Sequence, residues 1–395
     1  MRNNVRLRAR DGVTYEGRAM KLVVIANRVY RHGGMERASA EVFSRIACTD
    51  DVTIIATECE IANGHLTWLP VKAIRRPAML NQAVFAHSAK ALERAGTYDL
   101  TVSVDSAARD ADVVIAHFCL GMFASRFAGL RGGASRLRRL YQRVAERSLA
   151  ARERGLYRSS RLRGVIAVSS GLKRELMEQY GIPDSKIRVI PNGVDRTVFH
   201  PAPSLEAKLA LRRELGLSED AFLAVFVGGD WDRKGLRDVI RAIGKLPGTE
   251  LVVVGGGNAG AFGRLAEEVG AGKRVHFAGI QAQPQRYLAA GDVFACPSRY
   301  ETFSMSALEA AACGLPLIVV RTNGLEDFVE HGVNGFFVAP TTDAVREALE
   351  RVIGDPVLRA SMSQAAVRTS AQFDWGDIAA ATREVLETLS REPTR

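Results

Sequence analysis

The chain has 395 residues, 47% of them hydrophobic, which is enough for two cores of ordinary domain size. Its formal net charge is +10. It has no apolar run long enough to span a bilayer and no signal-peptide hydrophobic core, which argues against an integral or secreted protein. Its five cysteines include no C-x-x-C pair, which argues against a disulfide framework and a zinc site. We therefore expect a cytoplasmic protein.

The first predicted domain begins with an apolar strand at residues 21–27. Residues 1–19 are polar and contain several arginines, and we expect an N-terminal extension that need not be ordered. After the strand come Gly33 and Gly34, then a helix to about Ala47. Paired glycines between a strand and a helix let the backbone approach a ligand closely, although an ordinary tight turn has the same pattern.

Further apolar strands alternate with helical patterning, which indicates a parallel sheet flanked by helices. The strands are predicted at 52–56, 100–104, 113–116 and 165–168. His117 directly follows the third of them, at the carboxyl edge where ligands bind in open α/β sheets. It is therefore a candidate site residue, with a hydrogen-bonded histidine at a strand end as the alternative.

All of the net positive charge lies between residues 124 and 163. This stretch contains twelve arginines and two glutamates, and the rest of the chain has 42 basic and 42 acidic residues. Residues 135–157 have amphipathic helical spacing. Such a helix can lie on an anionic membrane surface, here the inner face of the cell membrane, pack on its own domain, or contact a phosphorylated acceptor. We expect no nucleic acid partner, because aromatic interleaving and recognised motifs are absent.

The alternation restarts after Pro191-Asn192-Gly193, where turn chemistry suggests a domain boundary. Strands are predicted at 222–227, 250–254, 275–278, 293–296 and 317–320. Arg233 and Lys234 follow the first of these strands, at a carboxyl edge, where two cations can neutralise a diphosphate.

Two carboxylates follow the strand at 293–296. Glu301 lies in a loop, and Ser306 to Glu309 form a capping-box pattern that opens a helix. A helix N-terminus after a strand is a natural seat for phosphate, whereas a carboxylate beside it suits sugar hydroxyls. The pattern indicates a sugar nucleotide; the alternative is that Glu309 caps its own helix and Glu301 is a solvated acid.

Two further motifs resemble binding sites for other ligands, a dinucleotide and a metal ion. Residues 255–260 match the dinucleotide pattern G-x-G-x-x-G, but they do not follow the first strand of their domain. Asp230-Trp-Asp232 resembles a metal-binding pair, but Arg233 and Lys234 would compete with a cation for phosphate. We expect neither a metal nor a cofactor.

Six motifs in chain order resemble those of the retaining GT4 glycosyltransferases of GT-B fold. They are Gly33-Gly34-x-Glu36-Arg37, Val168-Ser-Ser-Gly171, Val189-Ile-Pro-Asn-Gly-Val-Asp195, Phe226-Val-Gly228 to Arg233-Lys-Gly235, Ala290-Gly-Asp-Val-Phe-Ala-Cys-Pro-Ser298 and Glu301-x7-Glu309. The resemblance covers about residues 20–390. It implies an α/β protein with two Rossmann-like, doubly wound domains facing a central cleft. These would be an acceptor-side domain at 20–190, a nucleotide-sugar domain at 191–372, and a terminal helix at 373–395 that crosses back to the first.

The resemblance also implies a role for each candidate residue. Gly33 and Gly34 would let amides approach the donor diphosphate, which Arg233 and Lys234 would hold with help from the amides near Phe303 and Ser304. Glu309 would bind the ribose and Glu301 the transferred sugar. His117 would lie near the sugar and the acceptor.

The implied activity is transfer of a hexose from a nucleotide diphosphate sugar, preferably UDP-glucose-like, to a glycan or glycolipid acceptor with retention of configuration. Fixed cations and amides would stabilise the leaving phosphate. Gly229 stands where many members carry an arginine. The Gly-Asp-x-x-Arg-Lys-Gly form is similar to that of lipopolysaccharide core glucosyltransferases. The rival interpretations are an NAD-dependent oxidoreductase and a non-catalytic ligand-binding protein.

Overall fold

The computed structural model describes residues 7–8, 14–15, 19–31, 33–62, 65–72, 78–126 and 136–392. Of the expected N-terminal extension, it describes two antiparallel two-residue strands, β1 (Leu7–Arg8) and β2 (Thr14–Tyr15), and Ala19. The chain divides into two units. The first takes the residues up to Asn192 and from Trp375 onward, and the second takes Gly193–Asp374.

The first unit is built on a seven-stranded sheet in which every pair is parallel. Its strands are β3 (Lys21–Ile25), β5 (Asp51–Ala56), β7 (Leu66–Pro70), β8 (Leu100–Val104), β9 (Val113–Ala116), β10 (Gly164–Ala167) and β11 (Ile187–Val189). Two short strands, β4 (Arg28–Val29) and β6 (Glu58–Cys59), form a separate parallel pair. The order is β11-β10-β9-β8-β3-β5-β7. Strands β8, β9 and β10 are buried throughout, as expected of a parallel sheet covered on both faces.

The helices that follow these strands in the chain lie in the first unit. They are α1 (Met35–Ile46), α2 (Ala78–Arg94), α3 (Leu120–Arg126), α4 (Arg136–Tyr157) and α5 (Ser170–Tyr180). The strand order reverses between β3 and β8. The loops that leave these two strands therefore flank the point where open α/β sheets bind ligands.

The second unit holds a six-stranded parallel sheet in the order β14-β13-β12-β15-β16-β17. Its strands are β12 (Phe222–Val227), β13 (Thr249–Val254), β14 (Val275–Gly279), β15 (Val293–Cys296), β16 (Leu317–Val319) and β17 (Gly335–Phe337). Its helices are α6 (Leu205–Glu214), α7 (Leu236–Gly244), α8 (Ala259–Glu268), α9 (Pro284–Ala290), α10 (Met305–Ala312), α11 (Thr342–Gly354) and α12 (Pro356–Ser370). Here the order reverses between β12 and β15.

The last helix, α13 (Trp375–Arg391), belongs to the first unit and packs against α1. A buried ion pair anchors it, because Arg383 donates from Nε to Asp50 Oδ2 at 2.7 Å and from a terminal nitrogen to Oδ1 at 3.2 Å. Asp50 also accepts from the Met20 amide at 2.9 Å. The carboxylate therefore ties the helix to the chain that enters β3.

The predicted α/β class with two doubly wound parallel sheets is confirmed. The predicted strands coincide with β12 to β16 to within one residue at each end. The pattern did not single out β7, which forms an edge of its sheet. This strand has no fully buried residue and ends in a proline, so it lacks the continuous apolar run by which central parallel strands are recognised.

Candidate functional site

Two loops of the second unit bring the predicted charged residues together. One loop follows β12 and carries Arg233 and Lys234, and the other follows β15 and carries Glu301. Because β12 and β15 are parallel neighbours at the reversal of strand order, both loops leave the same edge of the sheet at the position favoured for ligands.

Lys234 and Glu301 form a buried ion pair at the centre of this site. Lys234 Nζ lies 2.7 Å from Glu301 Oε1, and a terminal nitrogen of Arg233 lies 3.6 Å from the same oxygen. Arg233 also donates to the backbone oxygen of Tyr300 and, through Nε, to Asp230 Oδ2 at 2.8 Å. Glu301 is only 8% exposed, so these contacts are largely shielded from water.

The two cations keep Glu301 charged despite its burial. Burial acts to raise the pKa of this carboxyl, but Lys234 and Arg233 outweigh it, and the pKa lies below its ordinary value. Burial likewise acts to lower the pKa of Lys234, but Glu301 raises it above the ordinary value. The site thus holds two charged donors and a charged acceptor side by side, which allows a phosphate and a hydroxyl to bind next to each other.

Two glycines make this arrangement possible. A Cβ on Gly228 would lie 2.7 Å from Lys234 Cδ, so only a bare backbone leaves room for the lysine stem. Gly235 has a φ of +77°, and a Cβ there would lie 2.5 Å from the backbone oxygen of Pro297. The close approach of the two loops therefore depends on residues without a side chain.

Helix α10 begins at Met305, directly after the second loop. Its N-cap residue is Ser304, whose φ and ψ are 67° and 72° and whose side chain makes no capping bond. A Cβ on Gly324 would lie 2.3 Å from Phe303 Cα, so tight packing fixes the turn at this point. The first amides of a helix lack intrahelical acceptors, which leaves the backbone near Phe303 and Ser304 suited to an anion.

The predicted capping box from Ser306 to Glu309 is wrong. Ser306 lies inside the first turn of α10, and its buried Oγ has no hydrogen-bond partner among the described residues. The helix starts earlier because the left-handed Ser304 takes the N-cap position. Glu309 lies one turn into the helix and is 5% exposed. Its role stays a prediction.

The glycines at 255–260 have a structural explanation. Gly255 has a φ of +125°, and a Cβ there would lie 2.3 Å from the backbone oxygen of Gly228. A Cβ on Gly257 would lie 2.2 Å from the ring of Trp231, whose Nε1 donates to Gly228 O at 2.9 Å. These glycines let the loop after β13 pack tightly against the loop that carries Arg233 and Lys234.

Asp230 and Asp232 each form an ion pair with an arginine. Asp230 contacts Arg233, and Asp232 contacts Arg237 Nε at 2.6 Å. Within the described ranges, no group of three or more His, Cys, Asp or Glu side chains could hold a metal ion.

The predicted residues of the first unit lie at the corresponding edge of its own sheet. Gly33 has a φ of +83°, and Gly34 is the N-cap residue of α1. His117 follows β9, and its amide donates to Asp105 Oδ1 at 2.7 Å. Asp105 follows β8 and also accepts from the Phe118 amide at 3.2 Å. We did not predict Asp105, although an aspartate directly after a buried strand at this edge could have indicated it.

Burial sets the protonation of this pair. It lowers the pKa of His117 to about 4, so the imidazole is neutral at pH 7. It raises the pKa of Asp105 to about 7. Asp105 Oδ2 lies 4.0 Å from His117 Nδ1. The two side chains are therefore neighbours that are not hydrogen-bonded to each other at this position.

The predicted basic helix is present as α4, but most of its N-terminal half lies outside the residues whose side chains are described. No helix in the described part of the chain is long and apolar enough to cross a bilayer.

Two family models match the chain, one for each half. The model "Glycosyltransferase Family 4" matches residues 33–198, and "Glycosyl transferases group 1" matches residues 208–369. Together with the two doubly wound sheets, these matches define a glycosyltransferase of GT-B fold. The chain belongs to the GT4 glycosyltransferase family.

Curated relatives match over part of their length. An uncharacterized glycosyltransferase, MJ1607, of Methanocaldococcus jannaschii is 32% identical over 56% of this chain and 59% of its own. A D-inositol 3-phosphate glycosyltransferase of Thermobispora bispora is 35% identical over 55% of this chain and 54% of its own. The match therefore spans little more than half the length of these relatives.

Solved structures match over nearly the whole chain. WaaG, a glycosyltransferase involved in lipopolysaccharide biosynthesis, superposes with a TM-score of 0.77 and 21% identity, covering 92% of this chain and 99% of its own. Anabaena Alr3699/HepE in complex with UDP-glucose has a TM-score of 0.72 and 23% identity, covering 93% and 100%. These likenesses establish the fold.

Proposed function

We propose that this chain is a retaining hexosyltransferase that uses a nucleotide diphosphate sugar, UDP-glucose-like in preference. Its acceptor is a glycan or glycolipid of cell-envelope polysaccharide or lipopolysaccharide biosynthesis. The observation that carries the proposal is the buried cluster of Arg233, Lys234 and Glu301 at the reversal point of the second sheet. The UDP-glucose complex of the structurally similar HepE and the lipopolysaccharide role of WaaG support the choice of donor and pathway class.

The proposed chemistry follows from charge. Breaking the bond between sugar and phosphate places negative charge on the diphosphate, which Arg233 and Lys234 stabilise with the amides near Phe303 and Ser304. These fixed cations take the part that a metal plays in other transferases. The acceptor hydroxyl attacks from the face that the phosphate leaves, and the phosphate takes its proton, so the configuration is retained.

The remaining predicted residues orient the donor in this proposal. Glu301 accepts hydrogen bonds from hydroxyls of the transferred sugar, and Glu309 accepts them from the ribose. In the first unit, Gly33 and Gly34 offer backbone amides to the phosphates. His117, neutral at pH 7, is able to bond a sugar hydroxyl without adding charge beside the reacting sugar.

The first experiment is a thermal unfolding series of the purified chain with UDP-, GDP- and ADP-sugars, UDP and NAD, each with a chelator present. A ligand that binds only the folded protein raises the unfolding midpoint. We expect a UDP-sugar and UDP to raise it and NAD to leave it unchanged. A shift with NAD alone would favour the oxidoreductase and overturn the proposal. A shift with a sugar nucleotide that is then never consumed with any glycan acceptor would favour a binding protein.

We also propose that the basic region around α4 holds the enzyme on an anionic membrane surface or on a phosphorylated acceptor. The support is the local excess of arginine, which includes the exposed Arg147 and Arg154. Vesicles with anionic lipid are expected to retain the protein and to release it at high salt, because surface attraction is screened. Equal retention by neutral vesicles would contradict the membrane interpretation.

A further inference from the structure

Arg299 is a charged residue of the second unit to which the proposed function assigns no role. It lies two residues before Glu301, in the irregular loop of residues 297–304 between β15 and α10. A loop without the regular backbone bonds of a helix or strand depends on other contacts for a fixed shape. The contacts of Arg299 therefore bear on where the Glu301 loop is held.

Arg299 connects its own loop to the loop that carries the two proposed phosphate ligands. One terminal nitrogen donates to the backbone oxygen of Asp232 at 3.2 Å. Its backbone amide donates to the backbone oxygen of Arg233 at 2.9 Å. Both acceptors lie within two residues of Lys234. The two loops are thus joined directly beside the residues that are proposed to bind the donor.

Asp238 anchors the other end of the guanidinium. This residue lies in the first turn of α7, and its Oδ2 accepts from the second terminal nitrogen of Arg299 at 3.0 Å. Its Oδ1 accepts from the hydroxyl of Thr342, the first residue of α11, at 3.1 Å. The side chain of Asp238 is only 10% exposed, so water competes little for it. A planar guanidinium with donors in fixed directions is suited to hold two such acceptors at once.

These contacts involve none of the side chains that are proposed to bind the donor. A bound diphosphate would share Lys234 with Glu301, and a sugar hydroxyl would share Glu301 with Lys234, so the ion pair between them weakens as the donor binds. The bonds from Arg299 to Asp232 and Asp238 have acceptors that the donor does not use. They are therefore able to keep the two loops together while the charged side chains change partners.

We propose that Arg299 is a positioning residue that holds the loop of Arg233 and Lys234 against the Glu301 loop, in the arrangement that a donor diphosphate requires. The inference rests on the proposed function and adds a residue to that same site. Its physical basis is preorganisation. If the loops are fixed beforehand, the donor does not have to order the two cations when it binds, and less of the binding free energy is lost.

The test compares the affinities of UDP and uridine for the wild type and for Arg299→Ala, both measured by isothermal titration calorimetry. UDP contains the diphosphate that the two cations are proposed to hold, whereas uridine has only the base and the ribose. We expect UDP to bind the variant about tenfold more weakly, because two long side chains must now be ordered on binding. Uridine is expected to keep its wild-type affinity. Equal weakening of both ligands would indicate a general loss of order and would overturn the proposal.

Asp238→Ala separates positioning from a simple effect of charge. If only net charge mattered, removal of an acid near the cations would strengthen UDP binding. We expect binding about tenfold weaker instead, because Arg299 loses its anchor. The double variant with Arg299→Ala should bind UDP no more weakly than either single variant, since both changes remove the same contact. Stronger binding by Asp238→Ala, or losses that add in the double variant, would contradict positioning.

Arg299→Lys provides a second check on charge. Lysine keeps the positive charge but lacks the planar fork that spans Asp232 and Asp238. We therefore expect it to recover only part of the UDP affinity that Arg299→Ala loses. Full recovery would show that the charge at this position, and not the pair of bonds, determines the affinity.

Arg274 gives a matched control at the opposite edge of the same sheet. It directly precedes β14, and one terminal nitrogen donates to the backbone oxygens of Ile243, Leu246 and Thr249 at 2.8, 2.9 and 2.8 Å. Arg274→Ala is expected to lower the thermal unfolding midpoint and to leave both affinities unchanged. A tenfold loss of UDP affinity in this variant would mean that any loosening of the unit weakens the site, and the proposal would fail.

Binding of UDP to the wild type separates this inference from the proposed function. If UDP binds the wild type and Arg299→Ala equally well, the positioning role is overturned and the proposed function stands. If UDP does not bind the wild type, the proposed function fails and the inference fails with it.

Discussion

Replacing Lys234 with alanine is expected to lower turnover of the sugar nucleotide by about 10²- to 10³-fold, the usual cost of removing one fixed donor at a developing negative charge. The same change leaves Glu301 buried without its partner at 2.7 Å. Loss of one partner of a buried ion pair costs about 3–5 kcal/mol of folding free energy, and we expect the lower end of that range because Arg233 still lies 3.6 Å from the same oxygen. Turnover is measured as release of the nucleoside diphosphate, and stability as urea unfolding followed by circular dichroism.

A double variant separates the two effects. Lys234→Met combined with Glu301→Gln removes both charges together, so no uncompensated charge remains buried, and most of the stability is expected to return. Turnover is expected to stay low, because the side chains that we propose to bind the phosphate and the sugar hydroxyls are both still missing. Recovery of turnover in the double variant would show that Lys234 acts only by compensating Glu301.

A neighbouring cation provides the matched control. Arg237 lies at the start of α7, is half exposed and pairs with Asp232. Arg237→Ala is expected to change turnover by less than about threefold, because exposed ion pairs contribute little. A loss as large as that of Lys234→Ala would mean that general positive charge, not the position of Lys234, determines turnover.

The sequence predicted the central parts of both sheets because they are buried on both faces. Strand β12, for example, is apolar from end to end and almost wholly buried, and such runs are read directly from sequence. The order of the strands is not encoded locally. It depends on right-handed crossovers and on which helix covers which face, so the reversal between β12 and β15 became visible only in the structure.

The candidate site was predictable at the level of sheet edges but not of contacts. Arg233, Lys234 and Glu301 follow parallel strands, which places them at one edge. That Lys234 bonds Glu301, however, depends on the missing side chain of Gly228. Spacing alone also misplaced the start of α10, because Ser306 had the right neighbours for a cap while the chain turns at Ser304.

Two buried acids escaped prediction for a common reason. Asp105 directly follows a strand and Glu153 lies in an arginine-rich helix, and in neither case does the sequence show that the side chain itself is buried. Their burial arises from tertiary contacts that no local pattern records, such as the bond between Glu153 and Tyr180. The glycines at 255–260 are the opposite case, a pattern that resembles a ligand site but has a structural explanation. They have the spacing of a dinucleotide loop, and packing against Gly228 and Trp231 accounts for two of them.

Asp292, the acidic residue of the motif at 290–298, is expected to stabilise the fold. Asp292 accepts from Lys208 Nζ at 2.6 Å, from a terminal nitrogen of Arg212 at 2.7 Å and from the Leu223 amide at 2.8 Å. Arg212 is only 3% exposed. Asp292→Ala therefore leaves a buried cation without its carboxylate, and we expect a loss of about 3–5 kcal/mol in urea unfolding at pH 7.

Lowering the pH should lower the folding stability of the wild type through the same carboxyl group of Asp292. Burial acts to raise the pKa of Asp292, but Lys208, the Leu223 amide and Arg212 outweigh it, so the folded pKa lies below the ordinary value. The resulting stability is fully present above the unfolded pKa of about 4 and is lost as the pH falls through the folded pKa. The difference in the free energy of unfolding between the wild type and Asp292→Ala should therefore narrow only in that acidic range.

The exposed pair between Asp343 and Lys245 gives the control. Asp343→Ala is expected to leave the midpoint of urea unfolding close to that of the wild type, because solvent screens both charges. An equal loss in both variants would mean that removing any acid weakens this basic chain through its net charge. A loss confined to Asp292→Ala would instead locate the effect in the buried contacts that join α6 to the start of β15. Because β15 leads into the Glu301 loop, the motif would then contribute to the site by holding its supporting strand rather than by touching a ligand.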